Sequence, residues 1–161
     1  MELADLVSQA GRSGAPLVEI TGGEPLIHEA FPELVQDLLD QTDRTILVET
    51  NGSLDISVIP EGAVTILDVK CPGSGQSQAM DWENLNRLRP GDEIKFVLTD
   101  QADYEWARER CETYELIDRP NPVLFMPVFG TLNPTRLAEW ILKDRLRVRL
   151  GIQWHKYLHI P

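Results

Sequence analysis

The sequence predicts an α/β protein in which parallel strands are connected by helices. Short apolar runs alternate along the chain with amphipathic stretches, and each run ends in a polar loop, which is the pattern of such a protein. The chain has 161 residues, of which 42% are hydrophobic and 25% charged, as in an ordinary globular protein. Since no linker, repeat or low-complexity segment divides it, we predict a single domain over residues 1–161.

Six apolar runs predict the strands. They are Leu17–Ile20, Thr45–Val48, Val64–Val69, Ile94–Leu98, Val123–Met126 and Leu146–Leu150. The last run alternates apolar and charged residues, which is typical of a strand with one solvated face.

Four amphipathic stretches predict helices, the first of them over Met1–Gln9. Their apolar stripes are Leu3, Leu6 and Val7; Phe31, Leu34, Val35, Leu38 and Leu39; Tyr104, Ala107 and Cys111; and Leu137, Trp140 and Ile141. This spacing buries one helix face against a sheet. Thr99 or Asp100 can cap the third helix, and Asn133 followed by Pro134 begins the fourth.

The periodicity is compatible with part of a (β/α) barrel and with an open doubly wound sheet. In both architectures ligands bind at the carboxyl ends of the strands. The unusual residues of this chain lie just after such ends, in the loops Thr21–Pro25, Glu49–Gly52, Lys70–Gly75 and Met126–Phe129. We therefore expect these four loops to face one pocket.

Charge and composition disfavour several classes of partner. Fifteen Lys and Arg residues against 26 Asp and Glu residues give a net charge of −11, which disfavours nucleic acids and anionic membranes. No apolar run approaches the roughly 20 residues of a membrane span, and the first residues lack the features of a signal peptide. We therefore expect a cytoplasmic protein.

Three of the loops carry groups suited to ligand binding. In Thr21–Pro25 two glycines allow a ligand close to the backbone, and Glu24 can accept an ammonium group; the alternative is a Gly-Gly turn with a solvated glutamate. Glu49–Gly52 offers a carboxylate and an amide for a heterocycle, or forms an ordinary Asn-Gly turn. Asp68–Gly75 offers backbone donors without the motif of a phosphate-binding P-loop.

These segments together resemble the radical S-adenosylmethionine (SAM) enzymes, and more narrowly the 7-carboxy-7-deazaguanine synthases of queuosine and 7-deazapurine biosynthesis. The residues that carry the resemblance are TGGEPL from Thr21, ETNG from Glu49, D-x-K-x-P-G-S-G from Asp68, and the Q-x-H-K tail from Gln153. The similarity runs from about Leu17 to the end of the chain. It implies a partial (β/α) barrel of the radical SAM type.

The resemblance also implies a role for each site residue. Gly23 and Glu24 would hold the amino group of SAM. The segments lining its nucleoside would be Cys71, Pro72 and Gly73, and Met126, Pro127, Val128 and Phe129. A pterin substrate would contact Thr21, the carboxyl terminus at Pro161, and also Glu49 and Asn51.

The implied reaction is that of a lyase that converts 6-carboxy-5,6,7,8-tetrahydropterin to 7-carboxy-7-deazaguanine with loss of ammonia. The family uses a [4Fe-4S] cluster, Mg²⁺ and an electron donor, and often forms homodimers. Its cluster is bound by three cysteines, commonly CxxxCxxC, in a loop that precedes the GGEP segment.

This chain departs from the family at the cluster. Its only cysteines are Cys71 and Cys111, so three clustered thiolates are lacking. We expect the cluster loop, the magnesium ligand in it and the first strand of the barrel to be missing from the N-terminal side, and the chain as given to be inactive. The alternatives are a clusterless relative that binds SAM or pterin, and a radical SAM enzyme with another substrate.

Overall fold

The computed structural model describes residues 3–159 of the chain, and over these residues it contains six strands and six α-helices. The strands are β1 (Leu17–Ile20), β2 (Thr45–Thr50), β3 (Val64–Lys70), β4 (Glu93–Leu98), β5 (Val123–Pro127) and β6 (Arg149–Leu150). The helices are α1 (Leu3–Arg12), α2 (Phe31–Gln41), α3 (Asn84–Arg87), α4 (Gln101–Thr113), α5 (Pro134–Lys143) and α6 (Trp154–Leu158).

The described strands form one parallel sheet in which their spatial order is their order along the chain. Leu17 of β1 lies opposite Thr45 of β2, and Ile94 of β4 lies opposite Val123 of β5. A doubly wound sheet reverses its strand order part-way, whereas a (β/α) barrel adds strands in sequence. The predicted α/β class is therefore confirmed, and the strand order is that of a partial barrel.

The chain divides into two compact units. Within the described residues, the first contains 3–67 together with 81–92, and the second contains 68–80 together with 93–159. The expectation of one domain over residues 1–161 stays a prediction.

In the first unit, α2 packs on β2 and contacts α1. The side chains buried there alternate along the strand and recur at helical spacing along α2: Ile46, Val48, Thr50, Phe31, Val35 and Leu38. This confirms the apolar stripe predicted for this helix, of which Leu34 and Leu39 form the half-buried margin.

In the second unit, α4 packs on β4 and α5 packs on β5. Phe96 and Phe125 lie at the centre of this core, fully buried, with ring centroids 5.4 Å apart and an edge-to-face geometry. Tyr104 of α4 meets Phe125 in the same geometry at 6.0 Å. The aromatic contacts thus connect two strands to the helix that covers them.

The helix starts follow the predicted capping residues. Asp100 accepts a hydrogen bond from the backbone N–H of Asp103 at the start of α4, and Asn133 accepts one from Thr135 at the start of α5. The first predicted helix is present as α1, and Met1 and Glu2 lie outside the described residues. No helix between residues 3 and 159 is long and apolar enough to cross a membrane.

The sixth strand is much shorter than predicted. The backbone N–H of Leu146 is bonded to the carbonyl of Ile141, and that of Val148 to the carbonyl of Leu146. These donors close a turn after α5, in which Arg145 has a φ of 52°. Since they are used within the turn, pairing with β5 begins only at Arg149.

We predict that Phe125→Ala lowers the free energy of unfolding by about 3–5 kcal/mol, because it removes a fully buried ring from the centre of the core. Leu142→Ala is the control, since Leu142 is 75% exposed, and we expect it to change stability by less than about 0.5 kcal/mol. Urea unfolding followed by circular dichroism measures both. Equal losses in the two variants would contradict this assignment of the core.

Candidate functional site

The turn after β1 is built by two glycines and ends at a carboxylate. Gly22 and Gly23 have φ values of 103° and 55°, which side chains with a Cβ rarely adopt. A single-turn 3₁₀ helix, Pro25–Ile27, follows, and Glu24 caps it by accepting a hydrogen bond from the backbone N–H of Leu26 at 3.2 Å. The glycines therefore turn the chain so that Glu24 points back into the protein.

Glu24 is buried, and its carboxylate joins this turn to the end of β2. The hydroxyl of Thr50 lies 2.9 Å from both carboxylate oxygens, and the backbone N–H of Asn51 donates to Oε2 at 2.8 Å. Thr50 in turn accepts a hydrogen bond from the backbone N–H of Gly52 at 3.1 Å. The TGGEP and ETNG segments are therefore held together by hydrogen bonds to one carboxylate.

The hydrogen bonds to Glu24 leave it with acceptor capacity. A carboxylate offers about four lone-pair positions. Among residues 3–159 three donors approach it: the backbone N–H groups of Leu26 and Asn51, and the single hydroxyl proton of Thr50. The fourth position is compatible with an ammonium group. The binding of the SAM amino group by Glu24 stays a prediction.

The other residues predicted in this unit lie close by in the chain but differ in exposure. Asn51 accepts a hydrogen bond from the backbone N–H of Ser53 through its Oδ1 atom at 2.8 Å, which orders the turn. Glu49 is partly exposed on the strand face opposite Thr50. Thr21 is exposed and borders a cavity of about 410 Å³ that is lined by the end of β1, the segment that follows it, and apolar residues of α1 and α2.

In the second unit, the loop after β3 is ordered by its own hydrogen bonds. Pro72–Ser74 forms a single 3₁₀ turn, and the hydroxyl of Ser74 donates to the carbonyl of Cys71 at 2.6 Å. The backbone N–H of Gly73 donates to Oδ1 of Asp103 at 2.8 Å. A Cβ atom at Gly73 would lie 2.6 Å from Oδ2 of Asp103 and would also overlap the hydroxyl of Thr99, so this position requires glycine.

Asp103 stands in the first turn of α4, is 1% exposed, and connects two loops. Besides Gly73, it accepts hydrogen bonds from the backbone N–H of Thr99 at 2.9 Å and from its hydroxyl at 2.5 Å. The carboxylate thus fastens the loop after β3 to the residue that follows β4.

The loop after β5 lies on the other side of β4. The backbone N–H of Val128 donates to the carbonyl of Leu98, the last residue of β4, at 2.8 Å. Phe129 is 41% exposed and packs edge-to-face on Tyr157 of α6 at 4.9 Å. Its backbone N–H donates to the side chain of Gln153 at 3.4 Å, so this loop also contacts the Q-x-H-K tail.

The aspartate of the D-x-K segment in β3 lies close to two lysines. Asp68 is buried, and its Oδ2 lies 2.7 Å from Nζ of Lys70 and 3.6 Å from Nζ of Lys95. Its Oδ1 is buried and has no hydrogen-bond partner within residues 3–159. The aspartate and lysine of this segment therefore pair with each other, and Lys95 of β4 adds a second positive charge.

Each unit therefore brings together the site segments that it contains. In the first unit the segments from Thr21 and from Glu49 share the carboxylate of Glu24. In the second, the segments from Cys71 and from Met126 flank the end of β4. Pro161, predicted to present its carboxylate to the pterin, lies outside the described residues. That all four segments face one pocket stays a prediction.

Comparison with known proteins identifies the family. A 7-carboxy-7-deazaguanine synthase of Koribacter versatilis is 43% identical over 157 residues, which cover 90% of this chain and 70% of that protein. That of Chlorobaculum tepidum is 35% identical over 164 residues, covering 100% of this chain and 74% of that protein. The chain belongs to the 7-carboxy-7-deazaguanine synthase family.

The Escherichia coli 7-carboxy-7-deazaguanine synthase is 32% identical over 161 residues, which cover 97% of this chain and 67% of that protein. No family model matches the chain. The resemblance seen in the four sequence segments is thus confirmed by relatives that align with nearly the whole chain.

The residues of this family member do not fit an iron–sulfur cluster. Cys71 and Cys111 are both buried, and a cluster of this kind requires neighbouring thiolates. Burial raises the pKa of both thiols, to about 12 for Cys111, and nearby carboxylates such as Asp103 raise that of Cys71 further. Within residues 3–159 no group of three or more His, Cys, Asp or Glu side chains is placed to hold a metal ion.

Two residues of the site escaped sequence reasoning. Asp103 precedes Ala107 and Cys111 by four and eight residues, so it lies on the apolar stripe of α4. An acidic residue at an apolar position was the signal that could have identified it. Thr50 alternates with Ile46 and Val48 on the buried face of β2, and a threonine at a strand end gives no comparable signal.

We predict that Thr50→Val lowers the free energy of unfolding by about 1–3 kcal/mol, because it removes a donor to the buried Glu24 carboxylate and the acceptor of the Gly52 N–H. Thr45→Val is the matched control, since Thr45 is exposed at the other end of β2. Chemical denaturation of both variants gives the comparison. A Thr50→Val protein as stable as the control would show that the hydroxyl does not hold the two segments together.

Proposed function

We propose that the chain binds SAM and 6-carboxy-5,6,7,8-tetrahydropterin for the reaction of a 7-carboxy-7-deazaguanine synthase. In that reaction the pterin ring contracts to 7-carboxy-7-deazaguanine and one molecule of ammonia is released. The observation that carries the proposal is the identity of 43% to a protein of that name. It is supported by the four motif segments, which occur along the chain in the order that the family shares.

The SAM part of the proposal rests on two sets of contacts. Glu24 is held with one acceptor position to spare, at a turn whose glycines leave the backbone open to a ligand. An ammonium group would complete the carboxylate's hydrogen bonding. The segments Cys71–Gly73 and Met126–Phe129 flank the end of β4 and would line the nucleoside from two sides.

The pterin would use groups of complementary chemistry. Its amino and ring N–H groups are donors, for which Glu49 and the carboxyl terminus at Pro161 are acceptors. Thr21 and Asn51 can both donate and accept. An electron donor and a second copy of the chain are further predicted partners.

The iron–sulfur cluster does not fit the residues of this chain, so we derive no step through it. The 161-residue chain is therefore proposed to bind SAM without turning it over. The same observation favours a second candidate, a clusterless relative that binds SAM or pterin without catalysis. The synthase and the clusterless relative differ in the expected effect of adding a cluster-binding segment. The addition should allow the synthase reaction in the first case and not in the second.

We predict that the 161-residue chain forms neither 5′-deoxyadenosine nor 7-carboxy-7-deazaguanine, whereas a fusion that adds a CxxxCxxC loop ahead of the GGEP segment forms both. The fusion is reconstituted with iron and sulfide, reduced, and supplied with SAM, Mg²⁺ and the pterin. Chromatography with mass spectrometry quantifies both products. A fusion in which the three cysteines are serines is the matched control.

The outcomes separate the candidates. Cleavage of SAM without a deazaguanine product would indicate another substrate. A loaded cluster with bound SAM and no cleavage would contradict the synthase proposal and favour the clusterless binder.

We predict that Glu24→Gln weakens SAM binding by about 1–3 kcal/mol, because it removes the charge from one hydrogen bond to the ammonium group. Titration calorimetry measures the affinity, and urea unfolding shows whether the variant remains folded. Glu29→Gln is the matched control, since Glu29 is exposed five residues further on, and its affinity should equal that of the parent. Unchanged affinity in a folded Glu24→Gln protein would remove Glu24 from the SAM site.

A further inference from the structure

We infer that Asp103 is a positioning residue for SAM, which acts through the Cys71–Gly75 loop and does not touch the ligand. The inference rests on the proposed function, because it takes that loop as part of the nucleoside site. It adds a residue of α4 that lies outside the four motif segments.

The geometry shows why this carboxylate controls the loop. Asp103 is 1% exposed and accepts hydrogen bonds from Gly73 and Thr99, which belong to two different loops. Burying a charge is costly unless hydrogen bonds compensate it. The loops therefore have to keep their N–H groups on Asp103, and this restricts their backbones to one arrangement.

Glycine at position 73 completes the arrangement. The backbone approaches so closely that a Cβ atom would overlap the hydroxyl of Thr99 and lie 2.6 Å from Asp103. The 3₁₀ turn Pro72–Ser74 and the bond from Ser74 to Cys71 fix the rest of the loop. A loop that is already ordered loses less conformational entropy when it binds a ligand, so the carboxylate contributes to affinity without a contact of its own.

Asp100 provides a control in the same turn of the chain. Its carboxylate accepts the backbone N–H of Asp103 and caps α4. Asparagine caps a helix about as well as aspartate. Asp100→Asn therefore makes the same chemical change three residues away while leaving the bond from Gly73 to Asp103 in place.

The test compares Asp103→Asn with Asp100→Asn. In Asp103→Asn a single neutral oxygen has to serve the two backbone donors. We expect hydrogen exchange at the amides of Gly73 and Thr99 to accelerate at least tenfold, and SAM affinity measured by calorimetry to fall about tenfold. Asp100→Asn should leave both the exchange rates and the affinity unchanged. Asp103→Glu, which keeps the charge, should restore part of the affinity.

The outcomes of this test bear on the inference and on the proposed function. Unchanged exchange at Gly73 in Asp103→Asn would overturn the inference, and so would faster exchange with unaltered SAM affinity. If Asp103→Asn does not fold, Thr99→Val removes one donor to Asp103 and is judged by the same two measurements. A parent chain that binds no SAM contradicts the proposed function, and the exchange rates then decide alone whether Asp103 holds the loop.

Discussion

Buried carboxylates that accept backbone N–H groups are the interaction on which the site segments depend. Glu24 does this in the first unit and Asp103 in the second. Each carries a charge that water no longer solvates, and each is stabilised by donors from two separate segments. Because the cost of an unsatisfied buried carboxylate amounts to several kcal/mol, the segments that supply the donors have little freedom to move apart. The order of these loops thus follows from electrostatics, although the loops are not part of the sheet.

The parallel strands explain why such contacts form between these particular segments. Neighbouring parallel strands end at the same edge of a sheet, so the residues that follow β1 and β2 begin side by side, as do those that follow β3 and β4. A single carboxylate then reaches donors of both segments. Asp68 differs because its partners lie within the sheet: its Oδ2 atom pairs with the lysines of β3 and β4. Glu24 and Asp103 therefore act on loops, whereas Asp68 acts between strands.

The sequence was sufficient to predict the first five strands, most helices and the family that the motif segments resemble. The positions of β1 to β5 follow from apolar periodicity, and the caps Asp100 and Asn133 follow from local chemistry that any helix start requires. The shortness of β6 was not predictable, because it results from hydrogen bonds of Leu146 and Val148 to particular carbonyls near the end of α5. The role of Asp103 was not predicted either, since it arises from contacts with Gly73, thirty residues away. The local sequence pattern therefore identifies secondary-structure elements and motifs. Which side chains fix the motif loops in place depends on contacts with residues that are distant in sequence.

The family reaction combines the binding of SAM with chemistry at a cluster. The contacts around Glu24 and Asp103 concern only the proposed binding of SAM. The proposed SAM contacts lie on segments that are ordered by carboxylates and backbone groups of this chain, and none of those hydrogen bonds involves a cysteine side chain. The cluster, in contrast, needs thiolates that the buried, neutral Cys71 and Cys111 do not provide. The hydrogen bonds that order these loops therefore come from groups other than thiolates. On the proposed SAM site we therefore expect ligand affinity and turnover to be separable, so that a change at either carboxylate acts on affinity whether or not a cluster is present.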